Sequence, residues 1–158
     1  MKPALRWFLF LTLPLYVADQ VTKSLVWRNI GLEEQIPVIP GFFNLVQVHN
    51  TGAAFGLLRD SNVFFLLLAS AALIVIGRLA WKGVFARIPM RLGAALLVAG
   101  ILGNVTDRLV RGFVVDFIQV ILPWYGQWPS FNIADSCICI AAGIFIIDGL
   151  LPRKAPRC

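Results

Sequence analysis

The stretch LGAALLVAGILGNVTDRLV, residues Leu92–Val110, joins an apolar segment to a polar end. About 20 apolar residues in a helix cross the hydrocarbon core of a bilayer, which is about 30 Å thick. The glycines and alanines of this stretch allow neighbouring helices to approach closely. Its polar residues Asn104, Asp107 and Arg108 are costly in hydrocarbon, so they point to a polar site near one end of a membrane helix.

Three further apolar runs flank this segment, at Trp7–Trp27, Val63–Trp81 and Phe131–Leu151. Of the 158 residues, 59% are hydrophobic and 14% are charged, a composition outside the range of soluble globular domains. Four spans use about half of the chain and leave no room for a second globular domain. We therefore predict an all-α membrane protein, a single domain over residues 1–158 with four transmembrane helices.

The two longer connections, residues 28–62 and 111–130, lie on the same side of the predicted bundle. In the first, Glu34–Ile39 and Phe42–Val48 are short extended segments on either side of a Pro-Gly turn. This pattern predicts a small β-sheet cradle on the extracytoplasmic membrane surface.

Positive charges are distributed unevenly between the two sides of the predicted bundle. The side that holds both termini carries nine of the fourteen Lys and Arg residues and one acid, Asp148. We expect Asp148 to lie near Arg153 and to be a snorkelling charge. The other side carries five cations and seven acids. The positive-inside rule therefore places both termini in the cytoplasm. The cations flank apolar runs and form no stripe with aromatic residues, so we expect no nucleic-acid partner.

Four acids, Asp19, Asp107, Asp116 and Asp135, fall near the same ends of the predicted spans. Their convergence at one depth indicates a polar site, because carboxylates in or near hydrocarbon are costly. Asp107 precedes Arg111 by four residues, the spacing of a helical ion pair, and is followed by a further arginine. We therefore expect its charge to be compensated and its role to be structural.

The other acids have different surroundings. Asp116 lies within the apolar segment Val114–Ile118, which should raise its pKa and suit it to donate a proton. Asp135 lies on the first turns of a helix, three residues after Asn132, where the helix N-terminus stabilises a negative charge. Two such carboxyls that share one proton can activate a water molecule and protonate a leaving amine.

Other chemistries have weaker support in the sequence. His49 is the only histidine, and Cys137 and Cys139 face different sides of a helix, so we expect no metal and no cofactor. Lys23 and Ser24 are adjacent on a helix and do not face each other, which disfavours a Ser-Lys dyad. A proton-coupled transporter and a non-catalytic assembly subunit remain alternatives, although a transporter requires its acids near the midplane.

The ordered motifs of the chain resemble those of the lipoprotein signal peptidases, also called signal peptidase II. They are D-Q-V-T-K at Asp19–Lys23, N-T-G-A-A-F at Asn50–Phe55, G-N-V-T-D-R at Gly103–Arg108, V-V-D-F at Val114–Phe117 and F-N-I-A-D at Phe131–Asp135.

This resemblance implies an aspartic endopeptidase of the bacterial inner membrane that cuts prolipoproteins before a diacylglyceryl-modified cysteine. It implies Asp116 and Asp135 as the catalytic pair. It further implies eight substrate-binding or supporting residues, which are Asp19, Lys23, Asn50, Gly52, Asn104, Asp107, Arg108 and Asn132. Membrane lipids and prolipoproteins are the expected partners of a monomeric protein, and the loop from Asn50 to Gly56 is expected to close over the site.

Overall fold

A computed structural model describes residues 6–32, 34–52 and 58–151 of the chain. Within these ranges the chain forms four α-helices and a four-stranded antiparallel sheet. In chain order the elements are a π-helical turn (Phe8–Thr12), α1 (Leu13–Asn29), β1 (Gln35–Ile39), β2 (Phe43–Asn50), α2 (Asn62–Trp81), α3 (Ile88–Arg111), β3 (Val114–Leu122), β4 (Gly126–Gln127) and α4 (Ile133–Leu150).

Three of the described helices, α2, α3 and α4, are long and apolar enough to cross a membrane. The predicted span at Trp7–Trp27 forms the π-helical turn and α1. Helix α1 has 17 residues, and two of them, Asp19 and Lys23, are buried charged residues. Helix α2 has no fully buried residue, and large apolar side chains such as Phe64 and Leu67 are exposed along it. Exposed apolar surface of this extent is typical of a protein that faces lipid.

The closest helix contact joins α3 to α4 through glycines. A Cβ atom on Gly93 would lie 2.6 Å from the ring of Phe145 on α4. A Cβ atom on Gly103 would lie 2.9 Å from Ala134 Cβ on α4 and 2.6 Å from Asp19 Oδ2 on α1. The small residues of α3 therefore let three helices meet at one point, which agrees with the predicted close approach of neighbouring helices.

The sheet has the order β1-β2-β3-β4 and only its first hairpin follows from the sequence. Gly41, with φ of 74°, makes the predicted turn between β1 and β2. The nine-residue strand β3 was not predicted, because its run of buried residues lacks the alternation of a half-buried strand. In the register of β2 and β3, Val48 lies opposite Asp116.

The start of α4 is attached to β3 by backbone hydrogen bonds. The Ile118 amide donates to the Phe131 carbonyl (2.9 Å), and the Phe131 amide donates to the Ile118 carbonyl (3.0 Å). This bridge brings Asn132, the next residue along the chain, against Asp116 on β3.

At the other end of α4, Asp148 is buried and pairs with Arg87, the residue that precedes α3. The prediction that Asp148 is a snorkelling charge is therefore wrong, because a nearby arginine compensates it within the fold. Arg153, its expected neighbour, lies outside the described residues. Cys137 is buried and Cys139 is exposed, so the prediction that they face different sides is confirmed.

We predict that Gly103→Ala destabilises the protein by about 1–3 kcal/mol, because the added methyl group overpacks the junction of α1, α3 and α4. Gly143→Ala is the control, since a Cβ atom there meets no described atom within 4 Å and alanine favours the helix. Thermal unfolding in detergent should show a lower midpoint only for Gly103→Ala. Equal midpoints for the two variants would contradict the packing described here.

Candidate active site

The side chain of Lys23 lies at the centre of the polar cluster and has no solvent-exposed surface. Its ammonium nitrogen is 2.9 Å from Asp19 Oδ2 and 3.0 Å from Asp107 Oδ2. It also donates to Asn104 Oδ1 at 3.1 Å. A lysine has three N–H donors and no acceptor, so these three contacts use its full hydrogen-bonding capacity.

Asp19 and Asp107 are both neutralised and also bind backbone amides. Asp19 Oδ1 accepts from the Ala134 amide in the first turn of α4 (2.9 Å). Asp107 Oδ2 accepts from the Val115 amide of β3 (3.1 Å), and Asp107 Oδ1 pairs with Arg111. The two carboxylates therefore connect α1 and α3 to β3 and α4.

Two cations compensate the charge of Asp107. One was predicted from the sequence and the other was not. The helical ion pair with Arg111 is present. Arg108, the adjacent arginine, is directed elsewhere, and the second cation beside Asp107 is Lys23 from α1. Adjacent residues on a helix point in different directions, whereas a lysine on a facing helix can reach across.

Asp116 and Asp135 lie beside this cluster, and their hydrogen-bond donors are all neutral. The Asn132 side-chain amide donates to Asp116 Oδ1 (2.7 Å), and the Asn50 amide donates to Asp116 Oδ2 (2.9 Å). The Asn104 amide donates to Asp135 Oδ1 (2.8 Å), and the Asn132 backbone amide donates to Asp135 Oδ2 (3.2 Å). Within residues 6–32, 34–52 and 58–151, neither acid forms an ion pair.

Asn132 joins the two acids because it is the N-cap residue of α4. Its side-chain oxygen accepts from the Asp135 backbone amide (2.9 Å), while the Asp135 carboxylate accepts from the Asn132 backbone amide. This reciprocal capping box directs the remaining NH₂ group of Asn132 towards Asp116. The spacing of three residues between Asn132 and Asp135 predicted their proximity, which the cap confirms.

The pKa of Asp116 is raised from 3.8 to about 7. Burial is the largest cause, and the negative charge of Asp135 adds to it. The amide donors Asn50 and Asn132 act in the opposite direction. The direction agrees with the shift that the apolar neighbours of Asp116 predicted.

Two cavities reach the pair of acids from different sides. The first, about 750 Å³, lies between α2, α3 and α4, and its lining includes Phe65, Leu68 and Asp135. The second, about 680 Å³, lies at the sheet, and Asp116 and Gln119 are part of its lining. Asn50, Gly52 and residues 128–130 line both cavities, so the two cavities adjoin along these segments.

Arg108 holds the segment that follows β2. Its guanidinium donates to the Gly52 carbonyl (2.9 Å) and lies 4.6 Å from the centre of the Phe65 ring. The Gly52 amide in turn donates to Asn50 Oδ1 (3.0 Å). The loop from Asn50 to Gly56 is expected to close over the site, and its residues 53–56 lie outside the described residues.

Two further polar residues lie near the site and were not predicted from the sequence. The Gln20 amide donates to Asp19 Oδ2 and to the Gly103 carbonyl, both at 3.1 Å. Asn62 begins α2 and donates to the Arg108 carbonyl at 3.2 Å. Gln20 lies beside Asp19 in the D-Q-V-T-K motif, and this position could have predicted that it belongs to the polar cluster.

His49 does not contact the two acids through any described hydrogen bond. Its ring stacks on Phe113, with 4.0 Å between the ring centres, and Nε2 lies 2.9 Å from the Gln47 amide nitrogen. Burial lowers the pKa of His49. The described part of the chain holds no group of three or more His, Cys, Asp or Glu residues suited to a metal ion.

Comparison with solved structures defines the class of protein. Two bacterial membrane enzymes, solved by the in meso method, match with TM-scores of 0.82 and 0.81 and sequence identities of 31% and 34%. The matches cover 91% and 90% of this chain and 91% of each of those chains. The chain therefore has the fold of a membrane enzyme.

The sequence comparisons define the family. The family described as Signal peptidase (SPase) II matches residues 11–151. The lipoprotein signal peptidase of Vibrio cholerae is 42% identical over 162 residues, which cover 98% of this chain and 92% of the relative. That of Neisseria meningitidis serogroup C is 41% identical over 150 residues, which cover 91% and 89%.

The chain belongs to the signal peptidase II family, which confirms the resemblance carried by its five motifs. It is accordingly a peptidase and a membrane protein, and its family membership indicates cleavage of signal peptides from prolipoproteins.

The contrast between the acids predicts different effects of neutral substitutions on stability. Asp107→Asn removes a buried anion from Lys23 and Arg111, which should cost about 3–5 kcal/mol of the free energy of unfolding. Asp116→Asn removes no ion pair and should cost much less. Thermal unfolding of both variants and the wild type in detergent, at pH 5 and pH 8, measures the difference.

The contribution of Asp116 to the free energy of unfolding should decrease as the pH rises. Because the folded-state pKa of Asp116 is raised, its contribution to stability is present below about pH 4 and is lost as the pH rises towards 7. The wild type should therefore lose stability relative to Asp116→Asn between pH 5 and pH 8. A constant difference between the two proteins, or an Asp116→Asn cost equal to that of Asp107→Asn, would contradict this assignment.

Proposed function

We propose that this protein is an aspartic endopeptidase whose catalytic residues are Asp116 and Asp135. It cleaves prolipoproteins on the N-terminal side of the diacylglyceryl-modified cysteine. The observation that supports the proposal best is the division of the four acids. Asp19 and Asp107 are held by cations, whereas Asp116 and Asp135 have neutral amide donors and adjoin two cavities.

Two neighbouring carboxyls that are both ionised repel each other, so such a pair retains one proton near neutral pH. Burial and the charge of Asp135 favour Asp116 as the holder of that proton. Asp135 lies in the first turn of α4, where the helix dipole stabilises its negative charge. The pair therefore supplies one acid and one base.

The proposed reaction uses both groups in turn. Asp135 takes a proton from a water molecule as the water oxygen bonds to the scissile carbonyl carbon. The carbon–nitrogen bond of the tetrahedral intermediate then breaks, and Asp116 gives its proton to the leaving nitrogen. The products are a carboxylic acid and an amine. Asp135 is then protonated and Asp116 is ionised, so the pair still holds one proton.

The two cavities suit a substrate that is anchored in lipid. A diacylglyceryl-modified peptide stays in the bilayer, and the cavity between α2, α3 and α4 offers Phe65, Leu68 and Ile138 to an apolar segment. Water reaches the pair from the cavity at the sheet, which contains Arg59, Gln119 and Asp116. The two acids therefore lie where the substrate from one cavity meets water from the other.

The proposed setting is the bacterial inner membrane, in which α1 and the π-helical turn before it form a fourth span. Exposed apolar residues along this segment, such as Phe10, Val17 and Leu25, support contact with lipid. The distribution of cations supports cytoplasmic termini, and the sheet and the acids then face the periplasm. We expect a monomer surrounded by membrane lipids.

Replacing either member of the pair should abolish cleavage. Asparagine keeps the shape of aspartate but neither holds the negative charge nor transfers the proton, so Asp116→Asn and Asp135→Asn should each lose all measurable turnover. The double variant should be no worse than either single one, because the residues act as a unit. The assay is cleavage of a lipidated prolipoprotein by purified protein in detergent, expressed per folded molecule.

Asp107→Asn is the matched control for this experiment. It neutralises an equally buried acid that pairs with cations, so its loss should be one of stability, with activity retained in the folded fraction. If folded Asp107→Asn has no turnover while Asp116→Asn retains it, the pair is Asp107 with Asp135 and the proposal is wrong.

A further inference from the structure

Three asparagine side chains donate to the proposed catalytic pair, and the oxygen of each accepts from another donor. Asn50 accepts from the Gly52 backbone amide, and Asn132 accepts from the Asp135 backbone amide. Asn104 accepts from the ammonium group of Lys23. An amide whose oxygen faces a donor must direct its NH₂ group the other way.

Asn104 differs from the other two because a side chain orients it. The backbone amides that hold Asn50 and Asn132 are present whatever side chains the chain carries. The Asn104 oxygen instead accepts from two side chains, from Lys23 Nζ at 3.1 Å and from Asn132 Nδ2 at 3.4 Å. Lys23 is the closer donor and the charged one, so it dominates the orientation.

We propose that Lys23 is a positioning residue that fixes the Asn104 amide so that its NH₂ group donates to Asp135. The proposal rests on the function proposed above and assigns Lys23 a role in turnover besides its ion pairs. Lysine has no acceptor, so the Asn104 oxygen must face it, and the NH₂ group lies 2.8 Å from Asp135 Oδ1. A chain of two hydrogen bonds thus connects a buried cation to the proposed base.

This connection orients the Asn104 amide without a direct ion pair between Lys23 and the proposed base. A direct Lys23–Asp135 ion pair would hold the carboxylate ionised and weaken it as an acceptor of protons. The intervening amide keeps the ammonium away from the carboxylate oxygen while polarising the N–H that the carboxylate receives. The hydrogen bond from Asn104 therefore orients the Asp135 carboxylate, which remains free to act as a base.

The test compares two neutral replacements of similar length in a background that keeps the buried charges balanced. Asp19→Asn removes one anion, and its side-chain oxygen still accepts from the Ala134 amide. In this background Lys23→Gln retains an N–H donor that can face Asn104, and Lys23→Met has none. The two proteins lose the same charge, so their stabilities in detergent should be similar.

We expect Lys23→Met to have a kcat about 10- to 100-fold below that of Lys23→Gln, the effect of losing one oriented hydrogen bond to a charged group. The KM for a lipidated prolipoprotein should be the same in both, because Lys23 is not part of the cavity lining. A purely structural role of Lys23 would change the folded fraction and leave the kcat per folded molecule equal. Equal kcat values would therefore overturn the proposal.

A second variant keeps the proposal testable if Lys23→Met does not fold. Asn104→Ala leaves the ion pairs of Lys23 with Asp19 and Asp107 in place and removes the connection to Asp135. Its kcat should fall by a similar factor, and an unchanged kcat would also overturn the proposal. Failure of the proposed function is distinguishable, because Asp116→Asn and Asp135→Asn would then retain cleavage.

Discussion

The burial of the Lys23 ammonium is the constraint on which the rest of the structure depends. A buried cation is tolerated only when opposite charges and hydrogen bonds replace its hydration. Lys23 on α1 obtains Asp107 and Asn104 from α3, and Asp19 from its own helix. Asp19 in turn binds the first turn of α4, so one ammonium group sets the relative position of three helices.

The same arrangement separates two kinds of acid within a small volume. The chain Arg111–Asp107–Lys23–Asp19 alternates in charge and is internally neutral. The neutral side chain of Asn104 stands between this chain and Asp135. Amides transmit hydrogen bonds without contributing net charge, so a rigid ionic cluster can lie next to the two acids for which we propose a shared proton. In the proposed function, the ion-paired residues keep the site rigid and the other two acids react.

Local patterns in the sequence account for the parts of the site that lie on one helix. The spacing of four residues predicts the pair Asp107 and Arg111, and the spacing of three predicts that Asn132 and Asp135 lie close together. The Pro-Gly turn likewise predicts the first hairpin. These features are set by residues close together along the chain.

The contacts that complete the site join distant parts of the chain and have no periodic signal. Asn50 reaches Asp116 only because β2 pairs with β3, a strand that the sequence did not reveal. Lys23 reaches Asp107 only because glycines let α3 approach its neighbours. Tertiary packing decides these contacts, whereas the family's motifs indicate which residues belong together without giving their geometry.

We propose that Asp116 carries the proton of the pair while Asp107 is ionised. Infrared spectroscopy of the carboxyl carbonyl stretch measures this directly, because protonated and ionised carboxyls absorb at different frequencies. A protonated-carboxyl band should be present in the wild type at pH 6, disappear as the pH rises through about 7, and be absent from Asp116→Asn. A band that persists in Asp116→Asn and disappears in Asp107→Asn would show that Asp107, and not Asp116, carries the proton.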